Sequence, residues 1–117
     1  MKQHAGDRLD AETERAARLF VARVSSQYEV VGAVVFGSRA RRSHRPDSDT
    51  DIAILLRGKR GPFLGTKLAL ADIAFDVLLE TGILIQPLPV WEDDWEDPDH
   101  AANPRLIRNI AREGIRL

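Results

Sequence analysis

The residue types best suited to chemistry stand in one short stretch of this chain. Phe36-Gly37-Ser38 ends an apolar run, and ten residues later Asp49-Thr50-Asp51 opens a second apolar run. Side chains two residues apart on a strand leave the same face, which would separate the Cα atoms of Asp49 and Asp51 by about 6.6 Å. Two carboxylates at this spacing repel each other unless a cation lies between them. Because carboxylate oxygens suit Mg²⁺, the pair predicts a site for a hard divalent cation, although Asp-x-Asp also occurs in turns.

The residues that follow the first apolar run suit phosphate. Gly37 lacks a Cβ atom, so a ligand could approach the backbone closely there. Ser38 adds a hydroxyl, and Arg39 begins a basic segment that could start a short helix, whose free N–H groups favour anions. The arginines of this segment are Arg39, Arg41, Arg42 and Arg45. A phosphate-binding strand end beside a metal-binding strand end is what metal-assisted phosphoryl or nucleotidyl transfer requires.

Hydrophobic periodicity predicts the elements that would position these residues. We expect helices over 10–27 and 67–81, strands over 30–36, 52–56 and 83–91, and a last helix opening at Asn103-Pro104. Thr66 would cap the second helix and Gly82 would end it. Its core face would consist of Leu68, Ala71, Phe75 and Leu78. Since Pro87 and Pro89 cannot donate to a ladder, the third strand is expected at an edge or partly out of the sheet.

Length and composition exclude several classes of protein. A chain of 117 residues has room for one domain, residues 1–117, and the absence of cysteine excludes disulfides and thiolate metal sites. No apolar run is long enough to span a membrane, so we expect a soluble, cytoplasmic protein. The net charge of −1 argues against direct nucleic-acid binding.

Negative charge is concentrated in the middle of the chain. Residues 46–100 contain 12 acidic and 4 basic side chains. Asp72, Asp76 and Glu80 align at helical spacing, and a second acidic group occupies residues 92–99 around Trp95. These groups are either solvated surface or an interface for a basic partner.

Taken together, these motifs resemble the signature of the DNA polymerase beta-like nucleotidyltransferases. The matching segments are Phe36-Gly37-Ser38-Arg39-Ala40-Arg41 and Pro46-Asp47-Ser48-Asp49-Thr50-Asp51-Ile52-Ala53. The spacing of Gly-Ser, ten residues and Asp-x-Asp matches without adjustment, and the length is similar to that of the minimal nucleotidyltransferases (MNT). The resemblance implies the α/β (α+β) fold class, with a small mixed β-sheet flanked by helices.

The resemblance also implies roles for individual residues. Asp49 and Asp51 would hold Mg²⁺, while Gly37 and Ser38, with Arg39 beside them, would bind the phosphates of ATP or another nucleoside triphosphate. A hydroxyl would attack the α-phosphate and pyrophosphate would leave.

A partner is implied as well. Many minimal members are encoded beside a HEPN-domain toxin and act as its antitoxin, in some cases by attaching AMP to a tyrosine of the toxin. The resemblance therefore implies a HEPN-type partner, while the oligomeric state stays open.

The chain departs from the family pattern at the third carboxylate. That residue normally lies on the next core strand, and counting from Gly82 places Gln86 there. An amide offers an oxygen ligand but no charge, and it cannot act as a base. The alternatives are a slow or inactive site, or an acid that reaches the site from elsewhere. The second hypothesis is accordingly a catalytically impaired binding module that neutralises a partner by covering it.

Overall fold

The computed structural model describes residues 9–37 and 49–117, which form helices on both faces of one β-sheet. The helices are α1 (Ala11–Ser25), α2 (Phe63–Thr81), α3 (Glu92–Glu96) and α4 (Pro104–Glu113), and a short 3₁₀ turn spans Pro98–His100. The strands are β1 (Val30–Phe36), β2 (Thr50–Leu56), β3 (Ile85–Trp91) and β4 (Ile115–Arg116). None of the helices in these described ranges is long and apolar enough to cross a membrane.

The sheet is mixed and has the order β3-β2-β1-β4. β1 runs antiparallel to both β2 and β4, whereas β2 and β3 are parallel and α2 provides the crossover between them. Parallel neighbours need such a helical connection, whereas antiparallel neighbours do not. The predicted fold class, a small mixed sheet flanked by helices, is confirmed.

Each face of the sheet has its own apolar layer. Helices α1 and α2 pack on one face, where Phe20 and Leu70 meet alternate residues of the central strands such as Val35 and Ile54. Helix α4 packs on the other face, where Ile107 and Ile110 form a smaller layer with Val34, Ala53, Leu55 and Val90. Central strands covered on both sides are apolar at nearly every position, as β2 is.

Helix α1 forms as its sequence predicts. Asp10 caps it by accepting hydrogen bonds from the Thr13 backbone N–H at 3.1 Å and the Thr13 hydroxyl at 2.7 Å. Its buried apolar face has helical spacing and consists of Ala16, Ala17, Phe20 and Val24.

Helix α2 differs from its prediction in both its start and its orientation. It begins at Phe63 after Pro62, so Thr66 is a buried residue of the helix and not its cap. The side chains that face the core are Thr66, Leu70, Ile73, Ala74 and Val77. The predicted core face is wrong: Leu68 and Phe75 are 59% and 55% exposed. The helix is apolar on two faces, and periodicity alone does not show which of them the sheet covers.

The third and fourth strands lie at the two edges of the sheet. β3 keeps Pro87 and Pro89 within its register with β2, and among the described strands it has a neighbour on that side alone. The expected edge position is therefore confirmed, and the strand stays in the sheet as far as Trp91. At the opposite edge, Ile115 pairs with Val35 as β4.

Candidate active site

The strand registers bring four of the predicted site residues to one end of the sheet. Phe36 pairs with Asp51 across β1 and β2, and Asp51 pairs with Gln86 across β2 and β3. Gly37 follows Phe36, and Asp49 precedes β2. Glycine, carboxylates and amide thus come from three adjacent strands.

Gly37 is in close contact with the Asp51 carboxylate. Its φ of +78° lies in the left-handed region that side chains disfavour. A Cβ atom at this position would lie 2.5 Å from Oδ2 of Asp51, closer than real Cβ contacts allow. The sequence suggested that glycine lets phosphate approach the backbone. The structure adds that glycine makes room for the Asp51 side chain.

The two aspartates form an electrostatically strained pair. Burial raises the pKa of Asp51 above its ordinary value, and the negative charge of Asp49 raises it further. A cation between them would offset both effects, because it would attract the two ionised carboxylates. A carboxyl pKa raised at the mouth of a pocket is typical of a functional site.

Gln86 is in direct contact with the pair. Its Nε2 donates a hydrogen bond of 3.0 Å to Oδ2 of Asp49, so the amide satisfies one carboxylate oxygen. Within residues 9–37 and 49–117, no group of three or more histidine, aspartate or glutamate side chains is placed to hold a metal ion. The described part of the site therefore has two carboxylates and one amide. That Gln86 stands in place of a third carboxylate stays a prediction.

These side chains line an open pocket of about 370 Å³. Its walls consist of Phe36, Asp49, Asp51, Lys67, Gln86, Pro87, Leu88 and Leu106. Lys67 comes from the second turn of α2, and the sequence analysis did not assign it to the site. A single lysine on an amphipathic helix is usually solvated, so no sequence signal distinguishes it. In the pocket its ammonium group could bind phosphate.

Thr50 lies between the two aspartates, and its side chain leaves the opposite face of β2. Thr50 is fully buried, and its backbone N–H donates to the carbonyl of Leu84 at 2.8 Å. Its hydroxyl has no hydrogen-bond partner among the atoms the structure describes. Because successive side chains leave opposite faces of a strand, the burial of Thr50 on one side directs Asp49 and Asp51 toward the pocket on the other side.

The residues present fit a magnesium ion. Mg²⁺ is usually held by one or two carboxylates together with substrate phosphates, so Asp49 and Asp51 suffice as protein ligands. Gln86 turns its amide nitrogen toward Asp49, so in this orientation it positions a carboxylate and is not itself a ligand. When bound, the ion would neutralise phosphate charge and acidify an attacking hydroxyl.

Part of the predicted site lies outside the described residues. Ser38 and Arg39, with Arg41, Arg42 and Arg45, fall in the segment 38–48, so their predicted part in phosphate binding stays a prediction.

A second, larger pocket at the opposite end of β2 lacks comparable chemistry. It measures about 470 Å³ and includes Glu29, Arg57 and Trp91. Glu29 already forms an ion pair with Arg57. A carboxylate that is paired in this way is less available to a metal ion than the facing pair of Asp49 and Asp51.

Comparisons with known proteins bear on the family and the fold of the chain. Residues 21–117 match the family model described as polymerase beta, nucleotidyltransferase. The fold is similar to the crystal structure of a candidate nucleotidyltransferase from Sulfolobus solfataricus, with a TM-score of 0.52 and 16% identity over 93% of this chain and 87% of that one. No curated protein matches the chain at a significant level.

Proposed function

The chain belongs to the polymerase beta nucleotidyltransferase family, and we propose that it transfers a nucleotidyl group from a nucleoside triphosphate, with ATP as the donor, to a hydroxyl of another protein. The observation that carries the proposal is the convergence of Gly37, Asp49 and Asp51 at one sheet end, with the pKa of Asp51 raised by burial and by Asp49. Two carboxylates that repel each other favour a bound cation, and Mg²⁺ usually arrives with nucleotide phosphates.

The polar residues of the pocket have distinct parts in this proposed reaction. The acceptor oxygen forms a bond to the α-phosphorus, the bond between the α- and β-phosphates breaks, and pyrophosphate leaves. Lys67 provides positive charge for the phosphates, and Gln86 orients Asp49 through its hydrogen bond. Because the Gln86 amide is not a base, the proton of the acceptor hydroxyl goes to a carboxylate of the pair or to water.

The acceptor in this proposal is a protein of the HEPN toxin type, and the role of the chain is that of an antitoxin. What supports this part is the resemblance to minimal family members, together with the exposed acidic residues Asp72, Asp76 and Glu80 on α2, which would suit a basic partner.

A second function is favoured by Gln86. If the amide disables transfer, the domain acts by binding Mg²⁺–nucleotide and covering the partner without modifying it. The hydrogen bond from Gln86 to Asp49 supports this reading, because it stabilises the carboxylate pair without supplying a base.

Calorimetry with Mg-ATP tests the nucleotide site. We expect binding by the wild type and loss of at least about tenfold in affinity, or 1.4 kcal/mol, in Asp49→Asn and Asp51→Asn. Asp93→Asn is the matched control, because Asp93 is an exposed aspartate of α3 outside the pocket. Equal affinity in all four proteins would contradict the proposal.

Mass spectrometry of a co-expressed HEPN-type partner separates the two functions. An increase by one or more nucleotidyl groups that depends on Asp51 supports transfer. An unmodified partner in a stable complex supports the binding module.

A further inference from the structure

The exposed apolar side chains of this protein are concentrated on one helix. In the described part of the chain, every large hydrophobic residue that is exposed lies on α2 or directly after it. These residues are Phe63, Leu64, Leu68, Phe75, Leu79 and Leu84, and their exposed fractions range from 38% to 69%. Scattered exposed leucines are normal on a protein surface, but a set confined to one helix indicates a contact surface.

The apolar residues along this face of α2, four of them exposed and Leu78 half-buried, have the spacing of a helix–helix seam. Leu64, Leu68, Ala71, Phe75 and Leu78 follow one another at intervals of four, three, four and three residues. This alternation is the heptad spacing by which two helices interlock their side chains along a common line. The opposite face, with Leu70 and Val77, is the one that packs on the sheet. α2 thus has a second apolar seam, which no other described element covers.

A row of acids borders the seam on one side. Asp72, Asp76 and Glu80 are exposed and lie one helical turn apart. Glu80 forms an ion pair with Arg23 of α1, and the charge of Asp76 also acts on Arg23. Asp72 has no ion-pair partner within the described residues, so the N-terminal end of the row has negative charge to offer.

We propose that the seam of α2 docks an amphipathic helix of a second protein, one with its own apolar seam and with lysine or arginine along the flank that meets the acidic row. The seam from Leu64 to Leu78 extends over about 21 Å at 1.5 Å per residue, which matches about four turns of a partner helix. A second copy of this chain is a poorer occupant. An antiparallel symmetric pair of α2 helices would place the acidic row of each copy against that of the other.

The seam leads directly to the candidate active site. Lys67, one turn after Phe63, lines the pocket that contains Asp49 and Asp51. A helix seated on the seam would therefore lie at the mouth of that pocket. This step rests on the proposed function, because it identifies the docked protein as the acceptor of the nucleotidyl group.

Two synthetic peptides test the docking surface. Each is a 21-residue amphipathic helix with leucine on its seam, and the flank that meets the acidic row has arginine in one peptide and glutamate in the other. By fluorescence anisotropy we expect the arginine peptide to bind at least tenfold more tightly than the glutamate peptide. Asp72→Lys with Asp76→Lys should reverse this preference. Equal binding of the two peptides, or no binding of either, overturns the proposal.

Substitutions in the seam test whether the arginine peptide binds there. Leu68→Asp and Phe75→Asp should each weaken binding of the arginine peptide at least tenfold, and both residues are exposed, so the fold tolerates the change. Ala111→Asp, the same kind of change on an exposed position of α4, should leave binding unaltered. If sedimentation instead shows a dimer of the free chain that Leu68→Asp dissociates and Ala111→Asp does not, a second copy covers the seam and the proposal is wrong.

Calorimetry with Mg-ATP on the same proteins separates this inference from the proposed function. Leu68→Asp that binds Mg-ATP normally and has lost the peptide supports docking as a separate property of α2. A wild type that binds the peptide but not Mg-ATP leaves the docking surface supported and contradicts the nucleotidyltransferase proposal.

Discussion

Gln86 on β3 donates a hydrogen bond of 3.0 Å to Asp49, so an amide stands where it can contact a carboxylate of the candidate metal pair. The parallel register sets Gln86 directly beside Asp51 as well. A carboxylate in place of this amide would share this end of the sheet with both aspartates.

Gln86→Asp should therefore raise nucleotidyl transfer. The new carboxylate supplies the charge and the base that the amide lacks, and general-base catalysis is worth about 10²–10⁴ in rate, so an increase of at least about tenfold is expected. The measurement is transfer from labelled ATP to a co-purified partner at saturating Mg²⁺. Gln86→Leu, which removes the hydrogen bond and adds no base, is the control and should not gain activity. A Gln86→Asp protein no faster than wild type would show that residue 86 is not the position of a missing base.

Gly37→Ala should lower the free energy of unfolding more than the same substitution at Gly82, a glycine with nearly the same φ. Left-handed backbone costs a non-glycine residue about 1–2 kcal/mol, and the contact with Asp51 adds about 1–3 kcal/mol. Gly82→Ala is the matched control. Its φ of +77° is nearly the same as that of Gly37, and its Cβ would meet nothing within 4 Å. Urea unfolding should give a larger loss for Gly37→Ala, together with weaker binding of Mg-ATP. Equal losses would mean that the Asp51 side chain moves aside freely.

How much of this site the sequence predicts depends on the position of each residue in its strand. Gly37, Asp51 and Gln86 lie at strand ends, where alternation and strand order fix which side chains meet, so their common location follows from the pattern. The location of Lys67 does not follow from the pattern, because this residue belongs to no strand. It reaches the pocket from α2, which packs on the same sheet face as α1. Its location depends on the start of α2 at Phe63, which the sequence analysis placed four residues later.

For a related reason, hydrophobic periodicity does not predict which face of α2 packs on the sheet. Two apolar stripes run along the helix, one with Leu70 and Val77 and the other with Leu68 and Phe75. Both stripes have helical spacing. Packing against the sheet and α1 decides which of them is buried, and these long-range contacts cannot be predicted from the local sequence pattern. The stripe predicted as core is the seam proposed above as a docking surface.

Asp51→Asn should raise stability in the absence of metal while abolishing the gain from Mg-ATP. Because the pKa of Asp51 is raised in the folded state, folding becomes less favourable as pH rises from the ordinary aspartate range through the raised value. At pH 7 the ionised carboxylate therefore costs stability. The cost is about 0.5 kcal/mol, since solvent screens a half-exposed group, and its removal should raise Tm by about 2–3 °C.

The pH and ligand dependence of Tm provide the check. The advantage of Asp51→Asn should disappear below pH 4, where the wild-type carboxyl is protonated as well. Mg-ATP at 100 times its Kd should stabilise the wild type by about 2.7 kcal/mol and the variant much less. Asp93→Asn should follow the wild type throughout. A Tm lower than wild type at pH 7 would contradict the view that Asp49 and Asp51 repel each other.

Lys67→Met should weaken the binding of Mg-ATP about tenfold and leave the fold intact. The substitution keeps the length of the side chain and removes the ammonium group that lines the pocket, and a hydrogen bond to a charged group is worth about 1.5–3 kcal/mol. The ammonium group also lies 5.9 Å from the centroid of the Phe63 ring, an interaction too weak at an exposed site to change stability by more than about 1 kcal/mol. Lys59→Met, in the exposed loop before α2, is the matched control. Calorimetry should show the loss of affinity in Lys67→Met and not in Lys59→Met. The loss should be larger for ATP than for AMP, because the lysine acts on phosphate charge. An equal effect on the two nucleotides would place Lys67 near the base or the sugar, and no effect would remove it from the site.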